Sequence, residues 1–309
     1  MPRIPAAWLF AALAPLAVSA TAQAQNTPIS ATSVDDPTGA VLRPAGFPAS
    51  PSTANATVSP AIVPQALNRD TDGMTGFDVS LGTLYASGDF GAATDTTIWS
   101  SALAARYTSG GLRLNASLPW MRIRTAGTVF TGIDATPIIV APGTGTPRRT
   151  FRGLGDVTLG ASYSVTPTDA TEIEFSGRVK LNTATQRSGL SSGETDYSLG
   201  VQATQTVGRF APFISATYRM LGDSPQWRLR NGLAGSVGSS MTVGERGVLL
   251  ASYHYAQSAT RLIDDSHEVF LGASTRLPST RLRLTGFATA GLSSGAASAS
   301  GGLALGFAL

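Results

Sequence analysis

The sequence predicts an all-β fold, a transmembrane antiparallel up-and-down β-barrel of about 12 strands, on three observations. From Gly76 onward apolar side chains recur at every second position in about a dozen segments, the period of a wall that is apolar on one face and polar on the other. The connections between segments alternate between short and long, as they do when turns gather on one side of a barrel and loops on the other. Charged residues are only 13% of the chain, and no run after residue 24 reaches the roughly 20 apolar residues of a membrane-spanning helix.

The N-terminus is expected to be removed. Residues 1–24 carry one cation at Arg3, an apolar run from Ala6 to Val18 broken by Pro15, and the small residues of Ala22-Gln23-Ala24, the pattern of a cleavable export signal. There is no Cys, so neither a lipoprotein anchor nor a disulfide forms, and stability must come from a closed ring of strand-to-strand hydrogen bonds. Residues 25–72 are rich in Ala, Pro, Ser and Thr without periodicity, and such a segment buries too little apolar surface to order itself. It is expected to be a disordered periplasmic tail. Phe47 and Ala61-Ile62-Val63 are the only anchors for the alternative, a tail folded back as a plug. Residues 73–309 form the barrel.

The segments follow in order, each with the stripe assigned to lipid. The first carries Phe77, Val79, Leu81 and Tyr85, the second Trp99, Leu103, Ala105 and Tyr107, and the third Leu112, Leu114, Ala116, Leu118 and Trp120. The fourth has Val157, Leu159, Ala161, Tyr163 and Val165, and the fifth Ile173, Phe175, Val179 and Leu181. The sixth stripe is Tyr197, Leu199, Val201 and Ala203, the seventh Ile214, Ala216, Tyr218 and Met220. The eighth offers Leu233, Val237, Met241 and Val243, the ninth Leu249, Ala251, Tyr253 and Tyr255. Val269, Leu271, Ala273 and Leu277 mark the tenth, and Leu282, Leu284, Ala288 and Leu292 the eleventh. The twelfth closes with Leu303, Leu305, Phe307 and Leu309. These lengths cross an apolar band at a tilt of about 40°.

Thr108–Gly111, Thr166–Thr171, Gly208–Ala211, Gly244–Arg246 and Pro278–Thr280 are short turns of Gly, Pro, Ser and Thr. Longer polar stretches separate them: Ser87–Thr96, Arg124–Arg152, Thr185–Glu194, Leu221–Arg230, Gln257–Ser266 and Ser293–Ser300. The turns are expected in the periplasm and the loops outside. A soluble β-sandwich would put Lys, Glu and Asp on its outer faces, where this chain is poor in them, and a solenoid would show a fixed-length repeat, which is absent.

The opposite face of each segment supplies the expected lumen lining: Arg113 and Asn115, Asp156, then Glu174, Arg178, Lys180 and Asn182 on one strand, Gln202, Arg219, His254, Glu268, Arg276, Arg281 and Arg283. Glu174, Asp156 and Glu268 are expected to pair with neighbouring arginines, since buried charges need partners. The excess of arginine also biases such a channel toward anions. Within the long 124–152 loop, Ile138-Ile139-Val140 either tucks inward as a constriction or faces solvent as an apolar patch.

No catalytic site is expected. Neither His254 nor His267 stands in a His-x-Ser arrangement, and Ser252 and Ser258 are weak nucleophile candidates in a serine-rich chain. Metal-ligand spacings and cofactor motifs are not found, and Gly153-Leu154-Gly155-Asp156 opens a strand where a phosphate loop would open a helix. The formal charge of +3, with 21 arginines and the single Lys180 scattered along the chain, gives no nucleic-acid surface.

Several motifs together resemble an outer-membrane family named for the meta-cleavage pathway of phenol degradation, whose members are described as transporters. They are Gly153-Leu154-Gly155-Asp156-Val157 running into Leu159-Gly160, Ser117-Leu118-Pro119-Trp120, Val179-Lys180-Leu181-Asn182-Thr183-Ala184, and Ser192-Gly193-Glu194-Thr195-Asp196-Tyr197-Ser198-Leu199-Gly200. The chain departs from that pattern at Asn182, where Pro is expected, and at the terminal Leu309, where an aromatic is expected. The resemblance spans residues 76–309 and implies uptake of aromatic or other poorly soluble compounds. The expected function is a bacterial outer-membrane channel or transporter for passive passage of small molecules. The alternative is a non-conducting structural or surface-interaction barrel whose lumen is closed by its own charges. The expected partners are outer-membrane lipid and lipopolysaccharide, the barrel-assembly machinery and a small solute.

Overall fold

Alternation of apolar and polar side chains drives each segment into an extended strand with one greasy and one wet face. In the computed structural model, residues 75–143, 147–184, 189–223 and 227–309 are described, so the expected signal and tail, residues 1–24 and 25–72, lie outside the described residues. Among the described residues there are fifteen strands: β1 (Gly76–Gly88), β2 (Thr96–Ser109), β3 (Leu112–Thr125), β4 (Thr128–Thr131), β5 (Pro137–Ala141), β6 (Arg149–Leu154), β7 (Val157–Thr168), β8 (Thr171–Leu181), β9 (Asp196–Gln205), β10 (Phe210–Met220), β11 (Gly232–Val243), β12 (Gly247–Ala256), β13 (Ser266–Arg276), β14 (Leu282–Gly291) and β15 (Ala299–Ala308).

All but β4 and β5 join one antiparallel sheet that closes on itself, because β1 pairs with β2 on one side and with β15 on the other. The first half of β3, Leu112–Ser117, pairs with β7, and its second half, Trp120–Thr125, pairs with β6. Strands β6 and β7 are thus one stave interrupted at Gly155 and Asp156, and the barrel has 12 staves. This corrects the expected 124–152 loop, whose last residues belong to the wall. The interruption has a local cause. The Gly155 amide donates to the Pro119 carbonyl at 2.9 Å, and a Cβ on Gly155 would sit 3.0 Å from the Pro119 ring and 3.2 Å from Thr131. The chain steps off the ladder there and turns Asp156 into the interior, where it is buried.

Two-residue and slightly longer turns at one rim alternate with long loops at the other. Gly110 and Gly244 take positive φ, 57° and 60°, in two of the tight turns, a conformation with little steric cost only for glycine. These rims are called the turn end and the loop end below.

The outer wall carries the stripes expected from the sequence. Leu81, Leu103, Leu159, Leu199, Ile214, Leu271 and Leu303 all point outward, and Leu271 is 64% exposed. A ring of large apolar side chains this extensive is unstable against water and needs a hydrocarbon neighbour. Arginine at Leu114, Leu159 or Leu199 is therefore expected to cost about 2–4 kcal/mol each near the middle of the band, measured by urea unfolding in lipid vesicles; near-zero costs would contradict the outward assignment.

The interior is more divided than a uniformly polar lumen. On β3, β8 and β9 the inward side chains include Arg113, Glu172, Glu174, Arg178, Lys180, Asp196 and Gln202, with serines and threonines between them. On β1, β10 and β12–β15 they include Leu84, Phe213, Val248, Leu250, Phe270, Phe287 and Ala304, which pack as one apolar cluster. Phe270 and Phe287 stack at 5.7 Å. At the loop end, Met121 and Ile123 of β3 also turn inward and are fully buried, against the hairpin described next.

Candidate functional site

The 124–152 loop enters the barrel. Strands β4 and β5 pair as a two-stranded hairpin, and the residues between them form a single 3-10 turn at Ile133–Ala135, all three buried. The sequence left Ile138-Ile139-Val140 with an inward and an outward alternative; the structure has the inward one. Val129 and Ala135 pack with Ile98, Met121 and Ile123 of the wall. Ile138 and Val140 pack with Leu229 and Ala259 of two neighbouring loops.

Polar ties hold the hairpin where its apolar contacts end. The Asp134 carboxylate pairs with Arg178 of β8, and the Asp134 amide donates to the Thr158 hydroxyl at 2.9 Å. The Thr131 amide donates to the Leu190 carbonyl at 2.6 Å, the Thr131 carbonyl accepts from Lys180 Nζ at 3.2 Å, and the Thr260 hydroxyl donates to the Val140 carbonyl at 2.8 Å. Asp134 and Ala135 adopt φ of 57° and 62°, left-handed values that cost of order 1–2 kcal/mol for a residue with a Cβ. Asp tolerates them better than Ala, and both are sustained only because the surroundings fix the turn.

Lys180 is the centre of the charge network and is 0% exposed. Its ammonium lies 2.9 Å from Asp196, 3.4 Å from Asp156 and 3.1 Å from the Ser192 hydroxyl. Asp156 also accepts from the amides of Thr183 and Ala184 at 3.1 and 2.9 Å and from the Ser191 hydroxyl at 2.6 Å. Nearer the turn end, Arg113 pairs with Glu174 and approaches Glu172 at 3.8 Å. Charges taken out of water need such compensation, and the strands supply it by placing Glu172, Glu174, Arg178 and Lys180 on one face of β8.

The remaining expected lumen residues divide. Asn115 is half-buried against Gly160, where a Cβ would meet its amide. Gln202 is buried and donates to the Thr204 hydroxyl at 3.3 Å, Arg219 donates to the Gln257 carbonyl, and Arg283 donates to the Ser274 hydroxyl at 3.2 Å. His254 and Glu268 are buried and stand opposite each other across the β12–β13 ladder. Arg276 stands opposite Arg283 at the end of the β13–β14 ladder, on the same face, and is exposed at the turn end. Two placements are corrected. Arg281 is exposed at the turn end, in the turn before β14 begins. Asn182 is exposed beyond the end of β8, and its amide donates to the Gly193 carbonyl.

Three network members were missed, Asp134, Asp196 and Glu172, the last at the very start of β8. Asp134 sits in a loop whose only sign of entering the barrel was its apolar run, and Asp196 begins a strand, where alternation is not yet established. The His254 Nε2 lies 2.8 Å from the Ser252 hydroxyl, a contact a two-residue spacing permits on one face of a strand. Both side chains are buried beside Phe270, whose ring is 5.9 Å from the imidazole, so the pair braces the wall.

Between hairpin and wall remains a cavity of about 70 Å³, bounded by Pro137, Ile138 and Ile139 on one side and by Leu84, Arg219 and Glu268 on the other. Glu268 Oε1 and Arg219 Nε are buried there without hydrogen-bond partners among the described residues, so the cavity offers one acceptor and one donor within a mixed lining that also includes Gln257, Ser266 and Ser300. Its volume is about half of what an apolar cavity needs to hold a benzene ring.

Above it the loops are clasped by Asp265, which accepts from Tyr255 at 2.8 Å and the Ser258 amide at 2.9 Å, and lies 3.4 Å from Arg230. Burial pushes the Asp265 carboxyl up, but the Ser258 amide, the Tyr255 hydroxyl and Arg230 together outweigh it and hold it below its ordinary value. The stability this contributes is present above the unfolded-chain value and is lost as pH falls through the lower folded one. Asp265→Asn is expected to flatten the acid side of a melting-temperature profile below pH about 4 while leaving the neutral barrel folded.

No protein-family model matches the sequence, so the resemblance to the meta-pathway barrels rests on its motifs, and no curated protein matches it. Among solved structures, a Pseudomonas aeruginosa FadL homologue is 12% identical with a TM-score of 0.40, covering 85% of this chain and 99% of its own. The Pseudomonas putida toluene transporter TodX is 12% identical at 0.39, covering 81% and 91%. The translocator domain of the autotransporter NalP from Neisseria meningitidis is 11% identical at 0.45, covering 79% and 91%. Similarity at this level carries no activity, substrate or residue role across to this chain.

Proposed function

We propose that this chain is a bacterial outer-membrane barrel that lets small, poorly water-soluble molecules pass passively, its lumen closed at rest by its own β4–β5 hairpin. The supporting observation is the hairpin's seat. It occupies the loop-end mouth through buried apolar contacts and a few polar ties, all of them non-covalent and none part of the main sheet. A plug made this way can leave while the 12-stave wall stays intact.

The apolar cluster of Leu84, Phe213, Leu250, Phe270 and Phe287 supports an apolar cargo, since a solute descending past the hairpin meets hydrocarbon on that side of the lumen. The loop end faces outward and the turn end faces the periplasm, as long loops and short turns are distributed in such barrels.

The second reading, a non-conducting barrel, is favoured by one observation, the saturation of Lys180 by two carboxylates and the hairpin carbonyl. Planar-bilayer recording of the purified chain and of a variant with residues 127–143 replaced by a short Gly-Ser linker separates the two. The channel reading expects near-silence from the parent and salt-dependent conductance steps from the variant, reduced by added toluene. Silence from a folded variant would establish the non-conducting reading instead.

A further inference from the structure

A concave site of about 300 Å³ lies at the loop end, outside the lumen network, lined by Trp227, Arg228, Arg230, Ala259, Thr260, Arg261 and Leu262. We propose that it binds the phosphate of an anionic glycolipid from the surrounding leaflet, with Arg228, Arg230 and Arg261 on the phosphate and Leu262 on the first acyl carbons. This inference rests on the outer-membrane reading above.

Three observations carry it. The first is charge. Three guanidinium groups share one concavity, and only Arg230 has an acidic partner among the described residues, Asp265 at 3.4 Å. Arg228 and Arg261 bring two charges with no ion pair among the described residues, and the planar guanidinium fork matches phosphate oxygens two at a time.

The second is rigidity. Arg230 is fixed by bonds from its side chain to the Ser258 carbonyl at 2.8 Å and hydroxyl at 2.6 Å, and its amide donates to the Ala259 carbonyl at 2.9 Å. Leu229 and Ala259 beneath it are buried in the cluster that includes the hairpin residues Ile138 and Val140. The site thus stands on packed side chains, which lowers the entropy lost when a ligand orders its arginines.

The third is position. Immediately below on the outer wall, Tyr253 bonds His267 at 2.5 Å and the Tyr255 ring lies 5.1 Å from the same imidazole. Outward-facing aromatic groups with a polar tip sit at the boundary between hydrocarbon and headgroups. Arg261 follows them in the loop after β12, and Arg230 is tied to the same loop through Ser258, which puts the arginines just beyond this boundary. Leu262, 59% exposed, then has an acyl neighbour, where an aqueous anion would leave it in water. This favours a lipid phosphate over a free one.

The test uses the full chain purified in detergent with bisphosphorylated lipid A as the probe, read by native mass spectrometry as the fraction carrying one lipid. Arg228→Gln/Arg261→Gln keeps Arg230 and its braces, and each removed arginine is expected to weaken binding about fivefold. Leu262→Ser is expected to weaken it further without touching the charges. Compact migration of the unheated protein on a gel verifies that each variant is folded.

Equal occupancy of the parent and the double variant would overturn the proposal, as would complete displacement of lipid A by inorganic phosphate, which would make this a free-anion site. Cell fractionation tests the outer-membrane reading separately. A protein found in that membrane but indifferent to the two substitutions fails here alone, and one found elsewhere fails there.

Discussion

Replacing Asp134 by alanine is expected to release the hairpin and convert a quiet barrel into a conducting one. The carboxylate is fully buried and is paired with Arg178, and removing one partner of a buried ion pair costs about 3–5 kcal/mol because the other is left uncompensated. In the seated state that cost falls on Arg178; with the hairpin withdrawn, water reaches the guanidinium and the cost disappears. The balance between seated and withdrawn hairpins should therefore shift by a factor of about 10²–10⁴. Departure also relieves the left-handed backbone at Ala135 and at position 134 itself, where alanine tolerates positive φ less well than aspartate. The measurement is open probability in single-channel records. Asp134→Asn, which keeps an acceptor for Arg178, should fall between parent and alanine variant. Identical records for all three would show that the ion pair does not hold the hairpin.

The second large effect is on stability. Lys180→Met removes the cation that holds Asp156 and Asp196 together in a fully buried site, leaving two carboxylates to repel each other. A loss of about 3–5 kcal/mol is expected, read as a lowered urea midpoint in vesicles. The effect should be concentrated at the loop end, where Asp156 also accepts from the Thr183 and Ala184 amides. Combining Lys180→Met with Asp156→Asn and Asp196→Asn should restore much of the loss, because neutral groups of similar size can replace a buried ionic cluster at little net cost. A triple variant as unstable as the single one would mean that packing around the lysine stem, and not its charge, is what matters.

The outer wall was legible because its cause is periodic. Leu81, Leu199 and Leu271 each belong to stripes in which every second residue is apolar, and lipid-facing position follows from that period alone. The lumen was only partly legible. Glu174, Arg178 and Lys180 stand out as charges within a strand, whereas Phe270 and Leu250 are flanked by Val269, Leu271 and Leu249, so apolar residues fill both faces and alternation vanishes. Arg281 was placed inside by extending the period of β14 back into the turn that precedes it, where it has no meaning. Asp134 could not be paired with Arg178 from spacing, since that contact depends on a loop folding back through the mouth of the barrel, which no local pattern encodes; Asp196 faces Lys180 directly across the β8–β9 ladder, but as the first residue of its strand it carries no alternation to mark it.

The seam between β1 and β15 has a kinetic corollary. Its ten register pairs, from Asp78 with Ala308 to Ser87 with Ala299, join the beginning and the end of the sheet, so the ring stays an unsealed ribbon with two bare margins until the final stave arrives. Contacts between residues this far apart in sequence form late and slowly. During that interval the ribbon can bind a second ribbon margin to margin. Survival of the protein to its mature state thus depends on how quickly residues 299–308 reach residues 78–87, more than on the strength of any single contact elsewhere in the wall.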